Sequence, residues 1–176
     1  MLQIERLRTE TYQDWPLQRL VDVRSGTQAQ YEMGFTKIIE AEGPMVCYRA
    51  YQLFAKASEV GKITAPTKAR LDRALQVMID KGELIAEVET DEGDEDLSKQ
   101  IIRLKDQPIV RLRSRGSRSI DEIPPSELAE VILHFSSQDE WLGKEDVFRL
   151  VLEHYELQKL TALGRRCLEN AMQRYF

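Results

Sequence analysis

The side chains able to do chemistry are few and scattered. The sequence holds two cysteines, Cys47 and Cys167, and two histidines, His134 and His154. A zinc centre needs three or four ligands gathered closely. Folding could bring Cys167 near one histidine, yet the sequence shows no third ligand. Both cysteines sit among apolar residues of helical segments, where buried thiols are expected rather than nucleophiles. The densest titratable cluster is Glu87–Asp96, EVETDEGDED, with seven carboxylates and no base. It lacks the leading Asp, central Gly and terminal Glu of a calcium-binding loop at their required spacing. No two carboxylates and a lysine are set compactly on adjacent strands, as a nuclease reading would need. The Gly-Lys pairs at 61–62 and 143–144 lack the upstream glycine and following Ser or Thr of a phosphate loop. No nucleophile sits beside a base. The expectation is a protein that is not an enzyme, with no metal and no cofactor.

What remains is charge. The formal net charge is −5. Without Glu87–Asp96, 23 acids face 25 bases, a net of +2. Between Arg103 and Arg118 lie six bases and one acid, Asp106. A partner feels the field within about 8–10 Å, not the total. Two cysteines 120 positions apart exclude a disulfide framework. No apolar run approaches the roughly 20 residues of a membrane span. The first residues, MLQIERLRTE, carry charges where a signal peptide needs apolar ones. A soluble cytoplasmic protein with no membrane partner is expected.

The elements that place these charges follow from periodicity. Tyr31, Phe35, Ile38 and Ile39 mark one face of a helix that Gly43-Pro44 ends. Tyr48, Tyr51, Phe54 and Ala55 mark a second, closed by Gly61. Thr64-Ala65-Pro66 opens a third, with Leu71, Ala74, Leu75, Met78 and Ile79 inward and Lys81-Gly82 as its stop. Leu84–Glu89 and Lys99–Leu104 read as a β-hairpin with the acidic run at its tip. The Gly-, Ser- and Pro-punctuated stretch after Pro108 reads as a linker or a crossing strand. Three more helices follow, marked by Leu128, Val131, Ile132 and Phe135, by Phe148, Val151, Leu152 and Tyr155, and by Leu168, Ala171, Met172 and Tyr175.

Shifted by 97 residues, the two halves align without a gap over about 45 residues. Tyr51 meets Phe148, Phe54 meets Val151, Leu71 meets Leu168, and Lys62-Ile63-Thr64 meets Lys159-Leu160-Thr161. Helix, helix, turn, helix, hairpin is the order of a winged helix, a variant of the helix-turn-helix. The fold expected is mainly α with a small β-hairpin, two winged-helix-like units in tandem, the second lacking its wing. The expected boundaries are an arm over 1–24 packed on the first domain, domain 1 over 25–106, a basic linker over 107–125, and domain 2 over 126–176.

The stretches IIEAEGP (Ile38–Pro44), KIT, LDRAL and IDKGEL (within Lys62–Leu84), and PIVRLRSRGSRSIDEIPPSELAEVI (Pro108–Ile132) resemble the domain of unknown function DUF3320. That domain occurs near the C-terminus of large bacterial superfamily I DNA helicases and related proteins of defence or repair. The resemblance runs from about Tyr12 to Phe176. It implies a DNA-processing context and a helicase or nuclease partner. It supplies no catalytic residue, and the helicase motor is absent from this sequence.

In a DNA-binding winged helix the third helix enters the major groove and flanking bases touch phosphate. Lys62–Lys81 holds five bases against two acids, and Lys159–Arg174 four against one, so both third helices are basic in an acidic chain. The residues expected to contact DNA are Lys62, Thr64, Thr67, Lys68, Arg70 and Arg73 in the first. The linker adds Arg111, Arg113, Arg115 and Arg118. The last helix adds Lys159, Thr161, Arg165 and Arg166. The acidic tip opposes this reading unless it points away or occupies the basic helix until DNA displaces it. On the second alternative, deleting Glu92–Asp96 tightens DNA binding. The rival reading is a protein–protein interaction adaptor that uses the winged-helix surfaces and the acidic wing.

Overall fold

The computed structural model describes residues 4–90 and 95–176. The acidic tip at 91–94 lies outside the described residues. The described chain is mainly helical with a small antiparallel sheet. Six helices are described, α1 (Gln28–Glu42), α2 (Cys47–Ala57), α3 (Ala65–Asp80), α4 (Pro125–Ser136), α5 (Lys144–His154) and α6 (Ala162–Tyr175). Three strands accompany them, β1 (Met45–Val46), β2 (Leu84–Glu87) and β3 (Ile101–Leu104). No described helix is long and apolar enough to cross a membrane. The chain divides into two compact units, Gln13–Ile109, and the residues up to Tyr12 with Val110–Phe176.

In the first unit, Thr27 caps α1 in a reciprocal box with Gln30. Thr27 Oγ1 accepts from the Gln30 amide at 3.3 Å, and Gln30 Oε1 accepts from the Thr27 amide at 2.9 Å. Phe35 and Phe54 meet with ring centroids 4.8 Å apart, and Tyr51 lies 6.0 Å from Phe35. Gly34 permits this approach, since a Cβ there would stand 2.6 Å from Phe54 Cε2. The sheet has order β1-β3-β2, with Met45 opposite Ile102 and Ala86 opposite Ile102 on the other side. The sequence reading held only the β2–β3 hairpin. A two-residue strand has no period to detect, and β1 forms because β3 offers it a free edge and the buried Met45 a place in the core.

Glu42, of the EGP stretch, is fully buried. Its carboxylate accepts from Arg49 Nε at 2.6 Å and from the Trp15 amide at 2.9 Å. That ties residues 13–24 to this unit, with Trp15 and Val23 in its core. Tyr48 departs from expectation and stands exposed, one position off the α2 stripe that faces the core.

The second unit corrects the linker. Residues 110–125 pack inside it, and residues 4–12 belong to it too rather than to the first unit. Glu10 pairs in parallel with Arg113, and Ser114 Oγ accepts from the Tyr12 amide at 2.9 Å. The Tyr12 ring lies 4.9 Å from the Arg113 guanidinium and 4.2 Å from that of Arg118. Gly116 turns the chain at φ +60°, where a Cβ would strike Tyr12 Cδ1 at 2.6 Å. Leu128, Val131, Phe148, Val151 and Leu168 build the core beyond, whereas Tyr175 is exposed at the end of α6.

The units share local geometry at a 97-residue offset. Helix α2 and helix α5 each run eleven residues, from Cys47 and Lys144, and α3 and α6 start at Ala65 and Ala162. Glu59 and Glu156 both carry positive φ, 58° and 56°. Thr64 and Thr161 both cap the helix that follows.

Candidate nucleic-acid interface

The fourteen residues expected on DNA divide by what already holds them. Thr64 and Thr161 spend their hydroxyls on caps. Thr64 Oγ1 accepts from the Thr67 amide at 3.4 Å, and Thr161 Oγ1 from the Gly164 amide at 3.0 Å. Thr67 is 5% exposed, with its hydroxyl 3.1 Å from that of Thr64. It secures the first turn of α3 and cannot reach a base.

The basic stretch after Pro108 is largely internal. Arg113 and Arg118 are each 1% exposed and meet Glu127, which is equally buried. Glu127 accepts from Arg118 Nη1 at 2.9 Å and Nη2 at 3.0 Å, and from the Arg113 amide at 3.2 Å. Arg113 Nη2 stands 3.4 Å from the same carboxylate. Burial lowers the Arg113 pKa even beside that partner. Arg115 Nε donates to the Tyr155 carbonyl at 2.9 Å, and its Nη1 to the Arg118 carbonyl at 3.1 Å. Arg111 pairs with Glu10 at 2.9 Å. These four arginines serve the fold of their unit, and Arg113 and Arg118 are closed to phosphate. The sequence could not place them, because Tyr12 lies about a hundred positions away and Glu127 reads as an ordinary first-turn acid.

Two helical bases are also engaged. Lys68 Nζ lies 2.9 Å from Asp72 and 3.0 Å from Asp96. Burial works against its charge, but the hydrogen bonds to both carboxylates raise its pKa. Tyr51 Oη donates to the same Asp72 at 2.5 Å. Arg165 is held as a fork by Glu145, at 2.7 and 2.9 Å, with Glu169 at 3.6 Å. Positions 68 and 165 thus carry an i,i+4 ion pair at the same place in each unit. The i,i+4 partners were visible in the sequence. Asp96 and Glu145 were not, since nothing local points to them.

Lys62, Arg70, Arg73, Lys159 and Arg166 are exposed and make no ion pair among the described residues. On α3 the exposed positions are Ala65, Pro66, Ala69, Arg70, Arg73, Gln76 and Asp80, one stripe along the helix that ends on an acid. Up to Arg73 the exposed stripe carries two arginines and no acid, with the partly buried Asp72 beside it. Lys62 precedes the helix by one turn's length. Small residues at 65 and 69 leave the approach to that face open.

Burial raises the Cys47 thiol pKa far above its ordinary value and pushes Cys167 up to about 11, so neither is a ready thiolate. His134 Nε2 sits 2.9 Å from the Glu5 carbonyl and 2.7 Å from Gln138 Nε2. His154 stacks edgewise on Phe135 and Tyr155. Among the described residues no three His, Cys, Asp or Glu side chains gather as a metal site requires. Comparison with protein-family models, with curated proteins and with solved structures finds no match to this chain.

Proposed function

We propose that this chain is a non-catalytic nucleic-acid-binding module that meets duplex DNA through α3, with Arg70, Arg73 and Lys62 on the phosphates. The observation that carries the reading is the outward stripe of α3, with arginines exposed at 70 and 73 and no exposed acid before Asp80 at the end of the helix. Element order supports it. The sequence α1-β1-α2-α3-β2-β3 with sheet order β1-β3-β2 is compatible with the winged-helix reading, in which the third helix would be the reading helix. The shared geometry at the 97-residue offset supports a duplication, with Lys159 and Arg166 of α6 as a second, weaker phosphate contact. The DUF3320-like stretches support a cytoplasmic role beside a DNA helicase or nuclease.

The test is a salt titration of binding to a short duplex. Each phosphate contact contributes about −0.9 to the slope of log K against log salt. Arg70→Ala with Arg73→Ala should flatten the slope by about 1.8 and leave the fold intact. Wild-type protein that fails to bind at about 50 mM salt would rule the reading out. A second reading, a protein-interaction adaptor, is favoured by Trp141, 85% exposed between α4 and α5, and by the exposed Leu163 and Phe176 of the same unit.

A further inference from the structure

Asp96 stands at the end of the acidic run, yet the structure holds it firmly. It caps a short 3-10 turn, Leu97–Lys99, accepting from the Ser98 amide at 3.1 Å and from Ser98 Oγ at 2.7 Å. Ser98 is buried and Leu97 packs against the core of the first unit. A carboxylate so anchored lies 3.0 Å from Lys68 Nζ on α3. Asp72 on the same helix already neutralises Lys68 at 2.9 Å, and Tyr51 holds Asp72 in place. One ammonium therefore carries two carboxylates, and the cluster has a net charge of −1 beside the arginine stripe.

We propose that Asp96 is a built-in phosphate competitor, which occupies Lys68 and lowers the affinity of the α3 site for polyanions. This rests on the reading of α3 as the DNA-contacting helix and names the regulation of that site. The second carboxylate does what a DNA phosphate would do. It takes one of the two hydrogen-bonding positions that Asp72 leaves on the ammonium and repels a phosphate approaching the same flank. A phosphate reaching Lys68 must sit against the Asp96 charge or displace it, and the Ser98 cap and the packing of Leu97 resist that displacement. The acidic run thereby tunes the site through an anchored side chain, whatever the rest of the run does.

Asp96→Asn removes the charge while retaining an oxygen that can cap the turn. With the phosphate about 6 Å from the removed charge in a water-like dielectric, the gain in affinity should be about threefold. The salt slope should steepen, by at most about 0.9 because Asp72 stays beside Lys68, as Lys68 opens to phosphate. Lys68→Ala in the same background should cancel both changes. Asp96→Ser, another good cap, should behave like Asn, and urea unfolding of each variant checks that the fold is kept. Several results would overturn the proposal. If Asp96→Asn binds as wild type does while Arg70→Ala/Arg73→Ala weakens binding, the clamp is wrong and the site stands. If the gain persists without Lys68, a general field effect replaces the clamp. If neither wild type nor any variant binds duplex at about 50 mM salt, the site and the clamp fall together.

Discussion

The most informative perturbation removes Glu127, because it decides whether the arginine-rich stretch builds a core or faces a ligand. Four hydrogen bonds from Arg113 and Arg118 end on this carboxylate, at 2.9, 3.0, 3.2 and 3.4 Å. Both guanidiniums are 1% exposed, so water cannot take its place. Glu127→Ala removes the carboxylate that two buried guanidiniums share and leaves them to their remaining partners. These include the Tyr12 ring and, for Arg118, the carbonyls of Ser114 at 2.9 Å and Arg115 at 3.1 Å. Removing one partner from a buried pair costs about 3–5 kcal/mol, and the residual partners place this case near the middle, about 4 kcal/mol. Glu127→Gln keeps the volume and one acceptor oxygen and loses the charge, so about 2 kcal/mol is expected. Urea unfolding followed by far-ultraviolet circular dichroism measures both. Replacing Arg113, Arg118 and Glu127 together with apolar residues of similar volume should be far milder than Glu127→Ala alone. A Glu127→Ala variant within about 0.5 kcal/mol of wild type would refute the buried cluster. So would an Arg113→Ala variant of unchanged stability that flattened the DNA salt slope.

Two further predictions bear on the cores. Gly34→Ala forces a methyl against Phe54 Cε2 at 2.6 Å, and overpacking of this kind should cost about 1–3 kcal/mol in urea unfolding. Should that variant prove as stable as wild type, the α1–α2 approach is looser than described. His154 titrates below its ordinary pKa of 6.5, chiefly because it is half buried and secondarily because His134 lies nearby. The unfolded chain then binds the proton more readily than the folded one. Stability is full above about 6.5 and falls as the pH drops from there toward the lower folded value. His154→Phe should abolish that part of the pH dependence. It also removes the buried Nε2, which has no hydrogen-bond partner among the described residues. An unchanged stability profile between about pH 7 and 5 in wild type would contradict the assignment.

Much of the architecture was legible one residue at a time. Thr64 announced a helix start through local capping chemistry that needs no tertiary partner, and Thr27 and Thr161 cap their helices by the same chemistry. The apolar period of Phe35, Ile38 and Ile39, and of Leu71, Ala74 and Leu75, marked faces that are buried in the fold. Strand β1 was not legible, because its two residues form a strand only through β3, more than fifty positions later. The candidate site was legible in its charge and not in its membership. Arg70 and Arg73 follow from helical spacing alone. Lys68 and Arg165 share that spacing and that charge, yet acids from other elements engage them.

The sequence by itself determined where the helices lie, that the two halves share a pattern, and that basic charge gathers on α3 and α6. These are properties of residues a few positions apart, set by backbone hydrogen bonding, capping and amphipathic period. Only the tertiary structure decided which bases face solvent. A guanidinium in RLRSRGSR looks the same on paper whether it meets water or Glu127. The choice depends on a carboxylate and an aromatic ring brought from distant positions to share its burial, and on the cost of leaving any buried charge alone. The fold withdrew Arg113 and Arg118 from the surface, clamped Lys68 with Asp96, and left Arg70 and Arg73 exposed on α3.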